Sequence, residues 1–121
     1  MIAEFTLPGG TVVRLPVDDD AGRPSARLPE VDAIAAAAIK VYGIDAADFW
    51  SFRRYEPVAT ARHVTCYLAR RYTAYSLPEI GRAVGRDHST VLYSVNRIAR
   101  QIDHDSTLAA KVADVRRELS R

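Results

Sequence analysis

The strongest constraint on this chain lies in residues 76–102, where two helical patterns are separated by a tight turn containing one glycine. Ser76-Leu77-Pro78-Glu79 reads as a capping box: the Ser76 hydroxyl can accept from the Glu79 backbone N–H, and the Glu79 carboxylate can reach back to the Ser76 N–H. The helix it opens carries Ile80, Ala83 and Val84 and stops at Gly85. Asp87 is placed to cap a second helix with Val91, Val95, Ile98 and Ile102 on one face. A short helix, a tight turn and a longer amphipathic helix outline a helix-turn-helix.

The rest of the chain supplies a scaffold for that unit. Glu4-Phe5-Thr6-Leu7 and Thr11-Val12-Val13-Arg14-Leu15 flank the turn cluster Pro8-Gly9-Gly10, which predicts a short β-hairpin. Residues 16–30, with Pro16, Asp18, Asp19, Asp20, Gly22, Pro24 and Pro29, read as an acidic linker. From there on the pattern is helical. Val31, Ile34, Ala35, Ala38, Ile39 and Tyr42 recur at helical spacing before Gly43, and Asp45 can cap a short helix bearing Phe49 and Trp50. Pro57 opens a longer helix whose apolar stripe is Ala61, Val64, Leu68 and Tyr72, with Arg62, Arg70 and Arg71 off it. A last helix from Asp105 to Leu119 presents Leu108, Val112, Val115 and Leu119 to the core. The expected fold is mainly α, a helical bundle with a helix-turn-helix at 30–121 behind a hairpin-like appendage and linker at 1–29.

Composition narrows the function. With 121 residues, 48% of them hydrophobic, the chain fits one modest domain plus an appendage. No run is apolar enough for a bilayer span, and the start lacks the basic front of a signal peptide, so the expected location is the cytoplasm. The single cysteine, Cys66, excludes an internal disulfide and reads as a buried structural thiol in a helix. Charge is unevenly spread: residues 1–56 hold six basic against nine acidic side chains, residues 57–121 eleven against six. The basic half is the candidate to meet a polyanion.

In a DNA-binding helix-turn-helix the first residues of the second helix enter the major groove. Here these are Asp87, His88, Ser89 and Thr90. Asp87 can accept from a cytosine amino group, His88 can donate to an acceptor edge, Ser89 and Thr90 permit close approach, and Thr90 offers a methyl to thymine. Arg62, Arg70, Arg86 and Arg97 surround that tip as phosphate ligands. Pattern alone leaves a plainer reading open, in which Asp87 is only a cap, His88 a solvated loop residue and the arginines an ordinary polar face.

The run from Ser76 to Leu92, most specifically Arg86-Asp87-His88-Ser89-Thr90-Val91-Leu92, resembles the C-terminal DNA-binding domain, domain IV, of the bacterial replication initiator DnaA. The likeness extends upstream through residues 59–73 and more loosely to about residue 30. It implies that Asp87, His88, Ser89 and Thr90 read bases of a DnaA box in the major groove, that Arg54 reaches the adjacent minor groove, and that Arg62, Arg70, Leu77, Pro78 and Arg97 lie along the phosphate backbone. The chain departs from the family in two places. Its turn holds Gly85 alone where two glycines are usual, which implies a recognition helix shifted in angle or register and a box preference of its own. Its basic loop is thinned, with Phe52 at a usually basic position and Arg53-Arg54 followed by Tyr55 and Glu56.

No phosphate-cradling G-x-x-x-x-G-K-[ST] loop is present, so no nucleotide cofactor and no ATP-driven melting is expected of this chain. His63, His88 and His104 lack metal-ligand spacing; His63 is expected to face solvent or DNA, and His104 to lie in a loop. No enzyme and no metal are expected. The leading expectation is a regulator that binds duplex DNA at DnaA-box-like sites as a monomer. The alternatives are a module that binds the replication initiator or its regulators through residues 1–29 or Phe49–Trp50, with little DNA affinity, and a domain of a larger DNA-processing protein.

Overall fold

A computed structural model describes residues 2–6 and 12–16 as backbone and residues 28–51 and 53–120 with their side chains. Strands β1 (Ile2–Thr6) and β2 (Val12–Pro16) pair antiparallel, Ile2 opposite Pro16 and Thr6 opposite Val12. The expected turn at 8–10 and most of the expected linker lie outside the described residues.

The first helix, α1 (Pro29–Tyr42), starts where Pro29, which has no N–H to satisfy, takes a first-turn position, with Glu30 and Asp32 favourably placed at the positive end of the helix dipole. It ends at Gly43, whose φ of 64° is left-handed, in keeping with its expected role as a stop. Asp45 caps α2 (Ala46–Trp50) by accepting from the Ala47 N–H at 2.9 Å. Helix α3 (Val58–Tyr72) follows Pro57, and α6 (Ser106–Leu119) is capped by Asp105, which accepts from Leu108 N–H at 3.0 Å.

Between them sits the helix-turn-helix, α4 (Leu77–Val84) and α5 (His88–Gln101). The capping box is complete: Ser76 Oγ accepts from Glu79 N–H at 3.2 Å and Glu79 Oε1 accepts from Ser76 N–H at 3.2 Å. Gly85 closes α4 with φ 73°, and the Arg86 N–H returns to the Gly81 carbonyl at 2.8 Å.

One core joins these helices. Helix α3 runs through its centre, packed against α1 on one side and α5 on the other, with α6 on α1 and α4 on α5. Val31, Ala35, Phe49, Val64, Leu68, Ile80, Val91, Ile98 and Val115 are all essentially fully buried in it. Leu28, inside the expected linker, is also buried there.

Two expected core positions are at the surface. Tyr72 is 52% exposed, its ring 5.3 Å beneath the Arg116 guanidinium, so a cation–π contact replaces burial at the end of α3. Leu119, in the last turn of α6, is 38% exposed, while Val112 and Val115 hold that helix to the core. Tyr75 is a buried aromatic that periodicity does not single out: its hydroxyl donates to Glu30 Oε2 at 2.7 Å, tying the α3–α4 connection to the start of α1.

Candidate nucleic-acid interface

The start of α5 stands clear of the core. Asp87, His88, Ser89 and Thr90 are exposed, whereas Val91 is completely buried and fixes the rotation that turns them outward. Asp87 occupies the N-cap position with extended backbone, but its carboxylate accepts no bond from the first-turn N–H groups, which corrects the expectation that it caps α5. Its carboxylate instead lies 3.0 Å from Ser89 Oγ and 3.2 Å from His88 Nδ1. The carboxylate is thus drawn sideways into a small polar cluster at the tip, and the first turn of α5 has no side-chain cap.

The turn before α5 is tight because Gly81 has no side chain. A Cβ there would lie 2.6 Å from the Arg86 carbonyl oxygen and 3.4 Å from the His88 backbone nitrogen. One left-handed residue, Gly85, is sufficient to make the corner.

A cleft of about 650 Å³ opens beside the tip, between α5, α3 and the loop that follows α2. Arg54, Arg62, Arg86 and Arg97 all line it, together with Asp87, Ser89 and Thr90. Sequence-predicted residues from three separate segments therefore meet on one surface. Arg70, Leu77 and Pro78 do not line this cleft. They form a second group at the α3–α4 junction, where Arg70 is exposed and donates to the Tyr75 carbonyl at 3.2 Å, and Leu77 and Pro78 open α4.

Arg62 and Arg86 are half-buried rather than freely exposed. Arg62 Nη1 donates to the carbonyls of Ser51 at 2.8 Å and Phe49 at 3.1 Å, and Nη2 donates to the Arg53 carbonyl. Arg86 Nη2 donates to the same Ser51 carbonyl at 2.5 Å. Burial, then the neighbouring charges of Arg86 and Arg54, hold Arg62 below the ordinary guanidinium pKa; burial is also the main cause of the lowered value at Arg86. The loop is braced from the other side by Asp48, which accepts from the Tyr55 hydroxyl and lies 3.7 Å from Arg53 Nε. These bonds hold Arg54 over the cleft, exposed at its rim. Phe52 lies outside the described residues.

Several residues of this surface were not singled out from sequence. Tyr93, 54% exposed, follows Ser89 and Thr90 on the same face of α5, a position that helical spacing alone could have flagged. Ser94 is buried, with its hydroxyl 2.6 Å from His63 Nδ1, so His63, partly exposed where it lines the cleft, also bridges α3 and α5. Glu56 also lines the cleft, its carboxylate accepting from the Thr60 N–H at 3.3 Å and from the Thr60 hydroxyl. Cys66 is buried as expected, and burial pushes its thiol pKa up to about 12. Phe49 is 1% exposed, its ring edge-on to Trp50 at 4.9 Å, so it is a core residue. Among the described residues no acidic, histidine and cysteine cluster is arranged to hold a metal, and no helix is long and apolar enough to cross a membrane.

The family described as the bacterial dnaA protein helix-turn-helix matches residues 31–98, which run from the first turn of α1 through most of α5. The chain belongs to this DnaA helix-turn-helix family. It is 43% identical over 91 residues to the chromosomal replication initiator protein DnaA of Sphingopyxis alaskensis and 41% identical over 94 residues to that of Gluconobacter oxydans, matches that cover 74% and 77% of this chain. The initiator of Caldanaerobacter subterraneus subsp. tengcongensis is 35% identical over 89 residues. In each case the matched region is 20% of the relative's length.

Proposed function

We propose that this DnaA-family domain binds duplex DNA sequence-specifically at DnaA-box-like sites, and that it regulates replication initiation or transcription without ATPase activity. The observation that carries this reading is the exposed α5 tip, Asp87 through Thr90, beside a cleft lined by Arg54, Arg62, Arg86 and Arg97. A helix N-terminus with small polar side chains fits the major groove, and an arginine at the cleft rim suits the minor groove alongside.

In this reading Asp87, His88, Ser89 and Thr90 read base edges in the major groove and Arg54 enters the minor groove. Arg70, Arg97 and the start of α4 at Leu77 and Pro78 follow the phosphates. Arg62 and Arg86 add positive charge but act chiefly by holding the Arg54 loop against the recognition helix. Residues 30–121 form the DNA-binding unit, residues 1–29 a hairpin-like appendage, and the site of action is the nucleoid in the cytoplasm.

A titration of the protein with a DnaA-box duplex and a scrambled duplex across a salt series tests the proposal. With about four arginines near phosphates, log K is expected to fall by roughly 3–4 per tenfold rise in salt, with the box bound more tightly throughout. A flat salt response, or equal affinity for both duplexes, refutes it.

A further inference from the structure

The cleft contains a carboxylate whose position is hard to reconcile with unopposed attraction of a polyanion. Of the residues that line it, Glu56 and Asp87 are the two acids, set among four arginines. Asp87 sits at the reading tip, where an acceptor has a use against cytosine. Glu56 sits at the entrance to α3, on the loop that carries Arg54, and is exposed. Its carboxylate accepts from the Thr60 N–H and hydroxyl. This bond has a structural use, because Pro57 at the N-cap position offers no side-chain cap to α3. An amide oxygen can accept from the same donors, losing only the modest stabilisation that a charge gains at a helix N-terminus. The negative charge is therefore additional to the cap, and it acts within the field of Arg62 and His63, both of which it biases toward their protonated forms.

We propose that Glu56 is an affinity-limiting residue of the DNA-binding cleft, whose anchored charge weakens the attraction of the arginines for duplex phosphate. The inference rests on the DNA-binding reading above and deepens it. Phosphate attraction is blind to sequence, whereas contacts at the α5 tip are not. A fixed negative charge at the cleft therefore lowers binding to every duplex alike. It reduces the time spent on bulk DNA and leaves a larger share of the total binding energy to the bases. Because Glu56 is held by Thr60 in the first turn of α3, an approaching phosphate meets the charge in place, not on a side chain free to swing away.

Glu56→Gln keeps an acceptor for Thr60 and removes the charge. The variant is expected to bind box and scrambled duplexes more tightly by the same factor, roughly three- to tenfold at about 50 mM salt, shrinking toward about onefold near 1 M as screening shortens to a few ångströms. Circular dichroism of the free protein, unchanged by the substitution, and a melting temperature lowered by at most a few degrees separate charge from capping. Glu56→Ala, which removes both, is expected to bind more tightly yet melt at lower temperature. Unchanged affinity of Glu56→Gln, with wild-type binding intact, overturns the inference alone. Tightening confined to the box duplex also overturns it, since that is the signature of a base contact. Failure of both proteins to bind any duplex overturns the DNA-binding reading, and this inference with it.

Discussion

Arg62 of α3 and Arg86 of the helix-turn-helix corner donate to one acceptor, the carbonyl oxygen of Ser51, at 2.8 and 2.5 Å. Both guanidinium groups are partly desolvated there, and Arg62 also feels the positive charge of Arg86, which is why each holds its proton less firmly than an exposed arginine. The arrangement persists because arginine presents several donors in a rigid fork, and Arg62 uses its others on the Phe49 and Arg53 carbonyls. The result is a mechanical link. The loop bearing Arg54 is fixed to α3 and to the residue that precedes Asp87, so the two elements proposed to enter the minor and major grooves share one reference point.

This link makes a prediction about Arg62 that differs from a simple phosphate contact. Arg62→Ala leaves the Ser51, Phe49 and Arg53 carbonyls to find other donors and is expected to cost about 1–3 kcal/mol of stability. Its effect on DNA is expected to pass through Arg54. In a double-mutant cycle of duplex affinity, the Arg54→Ala and Arg62→Ala losses should not add, and the double variant should bind little worse than the weaker single one. Additive losses would show that Arg62 meets DNA independently.

Gly81 predicts a packing effect distinct from that of Gly85. A methyl at Gly81 must displace the Arg86 carbonyl from 2.6 Å, and that atom belongs to the backbone that launches α5. Gly81→Ala is expected to destabilise the fold by roughly 1–3 kcal/mol in chemical denaturation and to reduce box affinity by tilting the recognition helix. Gly85→Ala carries the strain of a left-handed φ, on the order of 1–2 kcal/mol. A Gly81→Ala variant as stable as wild type would mean that α5 can lift off α4 without cost.

Much of the architecture was legible because it rests on local signals. The Ser76–Glu79 box, Gly43, Asp45, Gly85 and Asp105 each satisfy backbone groups within a few residues, so their effect is written in short spacings. The tip residues were legible for the same reason: they begin a helix whose buried face, Val91 and Ile98, fixes their direction. What was not legible depends on contacts between distant segments. Nothing near Arg62 indicates that its guanidinium will meet carbonyls of residues 49–53, and nothing near His63 points to Ser94, 31 positions away. Asp87 looked like a cap because its type and position suit one; the competing Ser89 hydroxyl and His88 ring draw its carboxylate aside. Tyr72 and Leu119 followed the apolar stripe of their helices to the last turn, where no partner helix covers them enough for burial.

His63 predicts a pH dependence. Burial first, then the charge of Arg97, lowers its pKa from the ordinary 6.5, with Glu56 opposing and Arg62 assisting. Below that ordinary value the unfolded chain takes up a proton more readily than the folded one, so this contribution to stability is complete above about pH 6.5 and declines as pH falls. Denaturant midpoints are expected to drop between about pH 7.5 and about pH 5.5, and His63→Gln, which can still pair with the Ser94 hydroxyl, should make that drop smaller. An identical drop in the variant would assign the pH response to other groups.

The division between reading and anchoring predicts opposite signatures for His88 and Arg97. The His88 side chain is 64% exposed at the tip and its ring borders Asp87, a position suited to meeting base edges. Arg97 lies further along α5, half-buried in the cleft, its Nε donating to Gln101 Oε1 at 3.3 Å, a geometry that leaves the fork's outer edge to a phosphate. His88→Ala is therefore expected to cost roughly 1–3 kcal/mol on the box duplex, relax preference at one base pair and leave the salt slope unchanged at about pH 8. Arg97→Ala is expected to weaken box and scrambled duplexes equally and to make the slope of log K against log salt shallower by about 0.9, one phosphate's worth of counterion. If His88→Ala also flattened the slope, or Arg97→Ala altered base preference, α5 would lie in the groove rotated from the orientation that Val91 and Ile98 impose.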